Sequence, residues 1–156
     1  MTDHDEAKAE LRKRVEGQRF VMFTTATAEG TLTSRPMTVQ EVDGWTLRFI
    51  TQDSNTVTPE SEGKQVNLAF MDGGNYVSLS GTGSVSRDVQ QKRELWDRLN
   101  EAYAGEPEDP DNVILDVHVD EGEYWDGGNP VARVVGLAKA AITGDPPSGK
   151  HAAVDI

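Results

Sequence analysis

The chain has 156 residues, and its 27 acidic against 15 basic side chains give a formal net charge of −12 at pH 7. This length predicts one domain, and 36% hydrophobic residues are typical of a globular protein. Phosphate backbones repel so acidic a chain, which excludes nucleic acid as an expected partner. Because cysteine is absent, disulfides, thiolate catalysis and cysteine-ligated metals are excluded. The sequence shows neither a long apolar run nor a signal peptide, so no membrane partner and a cytoplasmic location are expected.

The first predicted element is a helix within residues 1–18. Asp3 and Glu6 have the spacing of a capping box, and Gly17 is a natural end point. Apolar residues recur at four-residue spacing, namely Ala7, Leu11 and Val15. Because this apolar stripe is narrow, the helix is expected to lie on the surface.

After residue 18 the hydrophobic pattern changes to the alternation that is typical of β-strands. Strands are predicted over residues 19–25, 32–40, 66–70 and 76–87. Asp43-Gly44, between apolar residues, predicts a β-hairpin, and Thr58-Pro59-Glu60 predicts the start of a short helix. In the last of these strands, Gly81 and Gly83 are expected to mark a bulge or a point of close packing.

The rest of the chain predicts two helices and two strands. Asp88 is expected to cap a helix whose apolar face consists of Leu95, Trp96, Leu99, Ala102 and Tyr103. The acidic segment 105–126 also contains alternating apolar residues, which predicts a strand with one solvated face. Asn129-Pro130 predicts the start of a last helix, and residues 145–156 are expected to form a loop and an edge strand.

Together these elements predict a mainly β (α+β) domain with peripheral helices. About five to seven short strands joined by hairpins are typical of an antiparallel barrel or sandwich. The three histidines are too scattered for a metal site, and the chain lacks a nucleophile elbow and a P-loop. No metal is therefore expected, and the pattern identifies no catalytic residue.

Arg35 is the most distinctive candidate residue. Between Phe20 and Gly63 it and Arg48 are the only basic residues, and Arg35 directly precedes Pro36. A proline within a strand normally marks an edge or a bulge, because it removes a hydrogen-bond donor from the sheet. Arg35 is therefore either a surface residue on an edge strand or part of an anion site, since its guanidinium matches phosphate.

An ordered series of short motifs runs through the chain. It consists of Ser34-Arg35-Pro36-Met37, Asp43-Gly44, Leu47-Arg48-Phe49-Ile50-Thr51, Ser54, Val66-Asn67-Leu68-Ala69-Phe70, Tyr76-Val77-Ser78-Leu79-Ser80-Gly81, Asp88, Leu95-Trp96, Asp109-Pro110, Tyr124-Trp125-Asp126 and Thr143-Gly144. In residues and order this series resembles the pyridoxamine 5'-phosphate oxidase-like FMN-binding split barrels, in particular the general stress protein 26 family. The motifs span nearly the whole domain.

The resemblance implies an antiparallel split β-barrel over residues 19–144 that forms a homodimer and binds FMN at the interface between the two chains. The residues that it places around the cofactor are Ser34, Arg35, Pro36, Met37, Phe49, Ile50, Thr51, Ser54, Thr56 and Trp125. The first four would line the flavin and its phosphate arm, Phe49 to Thr51 the ring and ribityl chain, and Ser54 the phosphate. Trp125 is either a flavin contact or a packed barrel aromatic. The implied function is a flavin-dependent oxidoreductase that acts on an unknown small molecule.

Two departures from the family pattern concern the ligand region. Thr56 stands where members commonly have a lysine that contacts the phosphate, and Ala102-Tyr103-Ala104 replaces an aromatic Trp-Phe-Pro segment. Loss of a charge-assisted contact is expected to weaken phosphate binding by about 1.5–3 kcal/mol. Two alternatives therefore stay open: a split-barrel dimer with weak or lost flavin binding that serves as a stress-related interaction module, or a deazaflavin-dependent reductase.

Overall fold

The fold is built on one curled antiparallel sheet with short helices around it. The computed structural model describes residues 3–127, 137–142, 144 and 150–156. The strands are β1 (Phe20–Ala26), β2 (Leu32–Thr38), β3 (Glu41–Asp43), β4 (Thr46–Gln52), β5 (Gln65–Asp72), β6 (Asn75–Ser86), β7 (Asn112–Asp126) and β8 (Lys150–Asp155). The helices are α1 (Asp3–Val15), α2 (Val57–Ser61), α3 (Val89–Leu95) and α4 (Arg98–Ala104), and residues 137–142 are also helical. The predicted helix start at Asn129-Pro130 lies outside the described residues.

The order of the strands explains how the sheet forms a split barrel. They pair in the order β2-β1-β5-β6-β7-β4-β3, and β8 joins the sheet by pairing with β7. The first half of β7 pairs with β4 and its second half with β8, while β6 pairs along both halves. Within the described residues β2 approaches β4 but does not pair with it. This open seam agrees with the predicted split β-barrel.

The hydrophobic core lies on the inner face of the sheet. Phe23 of β1 and Phe49 of β4 are fully buried, and their rings meet edge to face with centroids 5.2 Å apart. Leu11 and Val15 of α1 are also fully buried in this core. The narrow apolar stripe predicts that α1 lies on the surface. This prediction is wrong for the apolar side chains of α1, which complete the core. Leu11 can do so because Gly122 of β7 has no side chain to keep it away from the sheet.

Both roles predicted for the glycines of β6 occur. The pairing register of β6 with β7 shifts between Ser80 and Gly81, which is the signature of a bulge. A Cβ on Gly83 would overlap the backbone carbonyl oxygen of Ser61, so this glycine allows α2 to pack directly against β6.

The helix predicted after Asp88 is divided into two. Asp88 caps α3 as expected, by accepting hydrogen bonds from two backbone N–H groups of the first turn. After the end of α3 at Leu95, the carboxylate of Asp97 accepts from the N–H of Asn100 and starts α4. This second cap turns the chain, and Tyr103 consequently lies 85% exposed instead of on a buried face. No helix in the described part of the chain is long and apolar enough to span a membrane.

Pro36 lies on the edge strand β2, as its presence in a strand predicts. The N–H of Val39 donates to the carbonyl of Arg19, which makes these two residues a hydrogen-bonded pair. Such pairs alternate along an antiparallel ladder, so Pro36 and its partner Met22 form a non-hydrogen-bonded pair. The nitrogen of Pro36 therefore faces away from β1, and the ladder loses no hydrogen bond.

Candidate functional site

A groove of about 250 Å³ lies along the seam between β2 and β4. Its walls come from the ends of these two strands and from α2 and α4. The lining residues are Arg35, Pro36, Met37, Thr38, Gln40, Ile50, Thr51, Gln52, Asn55, Val57, Asn100 and Tyr103. Five of the residues that the resemblance places around a cofactor thus meet here: Arg35, Pro36, Met37, Ile50 and Thr51.

Among the residues that the structure describes, the lining of the groove includes one cation and no carboxylate, although the chain has 27 acidic residues. The cation is the half-buried Arg35. Its Nη1 donates to the carbonyl of Phe23 at 3.2 Å and to Oγ1 of Thr25 at 2.8 Å, and its Nη2 donates to Oγ1 of Thr33 at 2.8 Å. All three acceptors are neutral oxygens. They fix the guanidinium against β1 without cancelling its charge.

Arg35 differs in this respect from the other arginines whose side chains the structure describes, because each of those contacts a carboxylate. Arg48 contacts Glu41 at 2.8 Å, Asp43 at 3.0 Å and Asp116 at 3.3 Å on the outer face of the sheet. Burial raises the pKa of Asp116 in this cluster. Since Arg48 contacts three carboxylates and Arg35 contacts none among the described residues, the guanidinium of Arg35 is the better placed of the two to pair with an anion.

Amide side chains supply much of the polar lining of the groove. Gln40 and Asn100 exchange hydrogen bonds of 3.3 and 3.1 Å, which tie the segment after β2 to α4. Gln52 donates to Asn112, whose own amide donates to two backbone carbonyls at the end of α4 and just beyond it. The sequence offers no signal for these amides, because they belong to no motif and each pair is separated by 60 residues.

Three other residues of the predicted set lie away from the groove. Ser34 lies on the outer face of β2, where its hydroxyl accepts a hydrogen bond from Thr24 at 3.0 Å. Phe49 points into the core, since successive side chains of a strand alternate between the two faces. Trp125 lies on the outer face of β7 and stacks on His151 with ring centroids 5.2 Å apart.

Ser54 and Thr56, the other two predicted residues, lie in the turn between β4 and α2, beside the groove. Ser54 donates its backbone N–H to Oδ1 of Asp111 at 2.9 Å and its hydroxyl to Oδ2 at 2.7 Å. Thr56 precedes α2, and its side chain makes no capping hydrogen bond. Next to Ser54, two hydrogen bonds from Arg87 hold the pKa of Asp53 below its ordinary value. Two carboxylates therefore lie at this turn, Asp53 within it and Asp111 from the segment before β7, and only Asp53 has a cationic partner among the described residues.

A family model described as pyridoxamine 5'-phosphate oxidase like matches residues 6–148 of the chain. The chain belongs to the pyridoxamine 5'-phosphate oxidase-like family. This match confirms the family that the motif series predicts. A comparison with curated proteins gave no match.

Solved structures similar to this member of the oxidase-like family include general stress proteins. A protein from Jannaschia sp. CCS1 assigned as general stress protein 26 is 25% identical, with a TM-score of 0.74 over 97% of this chain and 99% of that one. The general stress FMN/FAD binding protein from the phytopathogen Xanthomonas citri is 25% identical, with a TM-score of 0.67 over 80% of this chain and 92% of that one. An F420 reductase at 22% identity and a TM-score of 0.53 shares the fold over 67% of this chain and 88% of its own.

Proposed function

We propose that this protein binds FMN in the groove between β2 and β4 and acts as a flavin-dependent oxidoreductase on a small molecule. The observation that carries the proposal is Arg35, which contacts no carboxylate of the described residues and stands in a groove whose described lining has none. FMN combines a planar, largely apolar ring with a phosphate, and the groove combines apolar walls with one cation. The similarity to the FMN/FAD binding protein of Xanthomonas citri supports this choice of ligand.

The groove residues divide between binding and orientation. Pro36, Met37 and Ile50 supply apolar surface against which a ring can pack and from which it excludes water. Arg35 donates three hydrogen bonds to the protein, which leaves Nε–H and one Nη2–H without an acceptor among the described residues. These two N–H groups are available to an anion. The amide of Gln52 can hydrogen-bond the polar edge of the ring.

A bound flavin would supply the redox chemistry, so the protein itself has to bind, orient and shield the reacting groups. This separation of roles fits a groove whose described lining contains amides, three hydroxyl groups, one guanidinium and apolar side chains but no histidine or carboxylate. Discrimination between substrates would then depend on the shape of the open side of the groove. The exposed Tyr103 stands at that side.

Titration of the purified protein with FMN tests the binding step. We expect the visible absorption of the flavin to shift and its fluorescence to be quenched with a one-to-one endpoint per chain. Flavin that keeps its free fluorescence in an excess of protein would refute the proposal. The redox step is tested anaerobically with reduced nicotinamide nucleotide as electron donor, and we expect the visible band of the bound, oxidised flavin to bleach faster than that of free FMN.

A second candidate is a split-barrel module that does not hold a flavin tightly. Two observations favour it: Asp111 occupies the donors of Ser54, and Thr56 contributes no charge. Both features weaken a phosphate contact. The FMN titration decides between the two candidates, because the module would leave the fluorescence of the flavin unchanged.

We also propose that the protein is a homodimer. The strand registers place Met71, Tyr76 and Trp125 side by side on the outer face of β5, β6 and β7. Their exposed fractions are 67%, 37% and 39%, and such a continuous apolar row is typical of an interaction surface. We expect a dimer in sedimentation equilibrium at micromolar protein, and a shift towards monomer in Met71→Glu. A wild-type protein that sediments only as a monomer would contradict the proposal.

A further inference from the structure

The contact between Ser54 and Asp111 has the geometry with which a serine often holds a phosphate. A backbone N–H and a hydroxyl of one residue donate to two oxygens of one anionic group, at 2.9 and 2.7 Å. The group here is a side-chain carboxylate of the protein. Two residues that line the groove flank Ser54 in the sequence: Gln52 is two positions before it, and Asn55 follows it directly. An internal anion thus takes the donors of Ser54 at the end of the groove.

The position of Asp111 is fixed from several sides. Its backbone carbonyl accepts from the N–H of Asp53 at 2.7 Å, and its backbone N–H donates to Oδ1 of Asp109 at 2.9 Å. The segment on both sides is held by Lys92, which is only 1% exposed and donates to the carbonyls of Asp109 and Asn112 at 3.3 and 2.8 Å. A buried lysine that holds two backbone carbonyls restricts the movement of this segment. Asp111 is therefore held at Ser54 by the fold as well as by its own side chain.

A carboxylate in this position acts on a phosphate in two ways. It occupies the two donors of Ser54, and its negative charge repels a second anion brought next to it. Neither effect acts on a ligand that has the same ring and the same side chain but no phosphate. The contact therefore discriminates between phosphorylated and unphosphorylated forms of one ligand.

We propose that Asp111 is a specificity-determining residue that withholds Ser54 from the phosphate of a bound flavin. This inference rests on the proposed flavin binding and concerns how that site recognises its ligand. The anionic end of the ligand then depends on Arg35 for its contact, and Ser54 contributes nothing to it in the wild-type protein. As a consequence, the protein binds FMN less tightly than its groove would otherwise permit.

Fluorescence titrations with FMN and with riboflavin, which lacks the phosphate, test the inference. Asp111→Asn removes the charge and supplies an amide, so we expect FMN affinity to rise by about tenfold and riboflavin affinity to change by less than about twofold. Ser54→Ala in the wild-type background should leave FMN affinity unchanged. Combined with Asp111→Asn it should reduce the gain to the part that comes from the lost charge repulsion, because the released hydroxyl is then missing. Glu108→Gln is the matched control, since it removes a charge from the same segment where Glu108 pairs with Arg93 at 2.7 Å.

The results separate a failure of this inference from a failure of flavin binding. If the wild-type protein binds riboflavin but Asp111→Asn gives no gain for FMN, the groove binds flavin and the role of Asp111 is wrong. The role of Asp111 is equally wrong if both ligands gain equally, if Glu108→Gln gives the same gain, or if Ser54→Ala alone weakens FMN binding. If the wild-type protein and Asp111→Asn bind neither ligand, the proposed function itself fails and this inference with it. Ser54→Ala keeps the test independent of whether Asp111→Asn folds.

Discussion

Replacement of Arg35 by glutamine removes the one positive charge among the described residues that line the groove. The guanidinium donates to the carbonyl of Phe23 and to the hydroxyls of Thr25 and Thr33, and a glutamine amide can keep only part of these contacts. Since the site is half-buried and the acceptors are neutral, we expect the free energy of unfolding to fall by about 1–2 kcal/mol. Such a loss leaves a domain of this size folded, so that ligand binding can still be measured.

The effect of Arg35→Gln on binding is expected to be larger and to depend on the phosphate. A hydrogen bond to a charged group contributes about 1.5–3 kcal/mol, so the dissociation constant for FMN should rise roughly tenfold to a hundredfold. For riboflavin it should change by less than about twofold, because the ring contacts stay. Arg35→Lys should fall between the wild type and Arg35→Gln for FMN, since lysine keeps the charge but lacks the planar fork that reaches Thr25 and Thr33.

The measurement is a pair of fluorescence titrations at fixed ionic strength, together with urea unfolding of each variant. Arg19→Gln is the matched control, because it removes the same charge from an exposed arginine whose contact with Asp97 is 3.8 Å long. Unchanged FMN affinity in Arg35→Gln would refute the assignment of the anion to Arg35. An equal loss for riboflavin would show that Arg35 acts on the shape of the groove. An equal loss in Arg19→Gln would assign the effect to overall charge.

Three further predictions concern the scaffold. Gly83→Ala should lower the free energy of unfolding by about 2–4 kcal/mol in urea, because the added Cβ overlaps the carbonyl of Ser61; an unchanged midpoint would contradict the close packing. Lys92→Met should lower the free energy of unfolding by about 1–3 kcal/mol in the same assay, since it removes the ammonium donor from the carbonyl of Asn112 and from that of Asp109, which keeps the N–H of Asn112; a more stable variant would show that burial of the ammonium group outweighs its hydrogen bonds. Arg87 lowers the pKa of Asp53 in the folded state, so the stabilisation from this pair is present above the ordinary carboxyl pKa and is lost as the pH falls through the folded-state value. Asp53→Asn should therefore lose less stability than the wild type between about pH 5 and about pH 3, and identical pH profiles would refute the pairing.

Local signals in the sequence predicted the scaffold well. The cap at Asp88, the turn at Asp43-Gly44 and the edge position of Pro36 each depend on the chemistry of one or two residues, and the structure shows all three. Asp97 carries a signal of the same kind, because a capping residue inside an apolar helical pattern favours a second helix start. The apolar pattern from Leu95 to Tyr103 continues across Asp97, however, and so predicts one helix where the structure has two.

The candidate site was less predictable, because its contacts join distant parts of the chain. Asp111 and Ser54 are 57 residues apart, and nothing in either segment indicates that they meet. Adjacent residues of a strand also face opposite ways, so the motif Phe49-Ile50 does not by itself show which of its side chains reaches the groove. Phe49 lies in the core and Ile50 lines the groove. The motif identified the right strand, but only the sheet register shows which side chains reach the seam.

Pro36 lines the groove and also affects the tendency of chains to associate edge to edge at high protein concentration. The side of β2 that faces away from β1 is an open strand edge, and free N–H and C=O groups on such an edge can recruit a strand from another molecule. Because the nitrogen of Pro36 points to that side, the middle of the edge has no donor. Any other residue at position 36 would restore the donor. A substitution of Pro36 would therefore change the shape of the groove and would also make the chains more prone to pair edge to edge and aggregate.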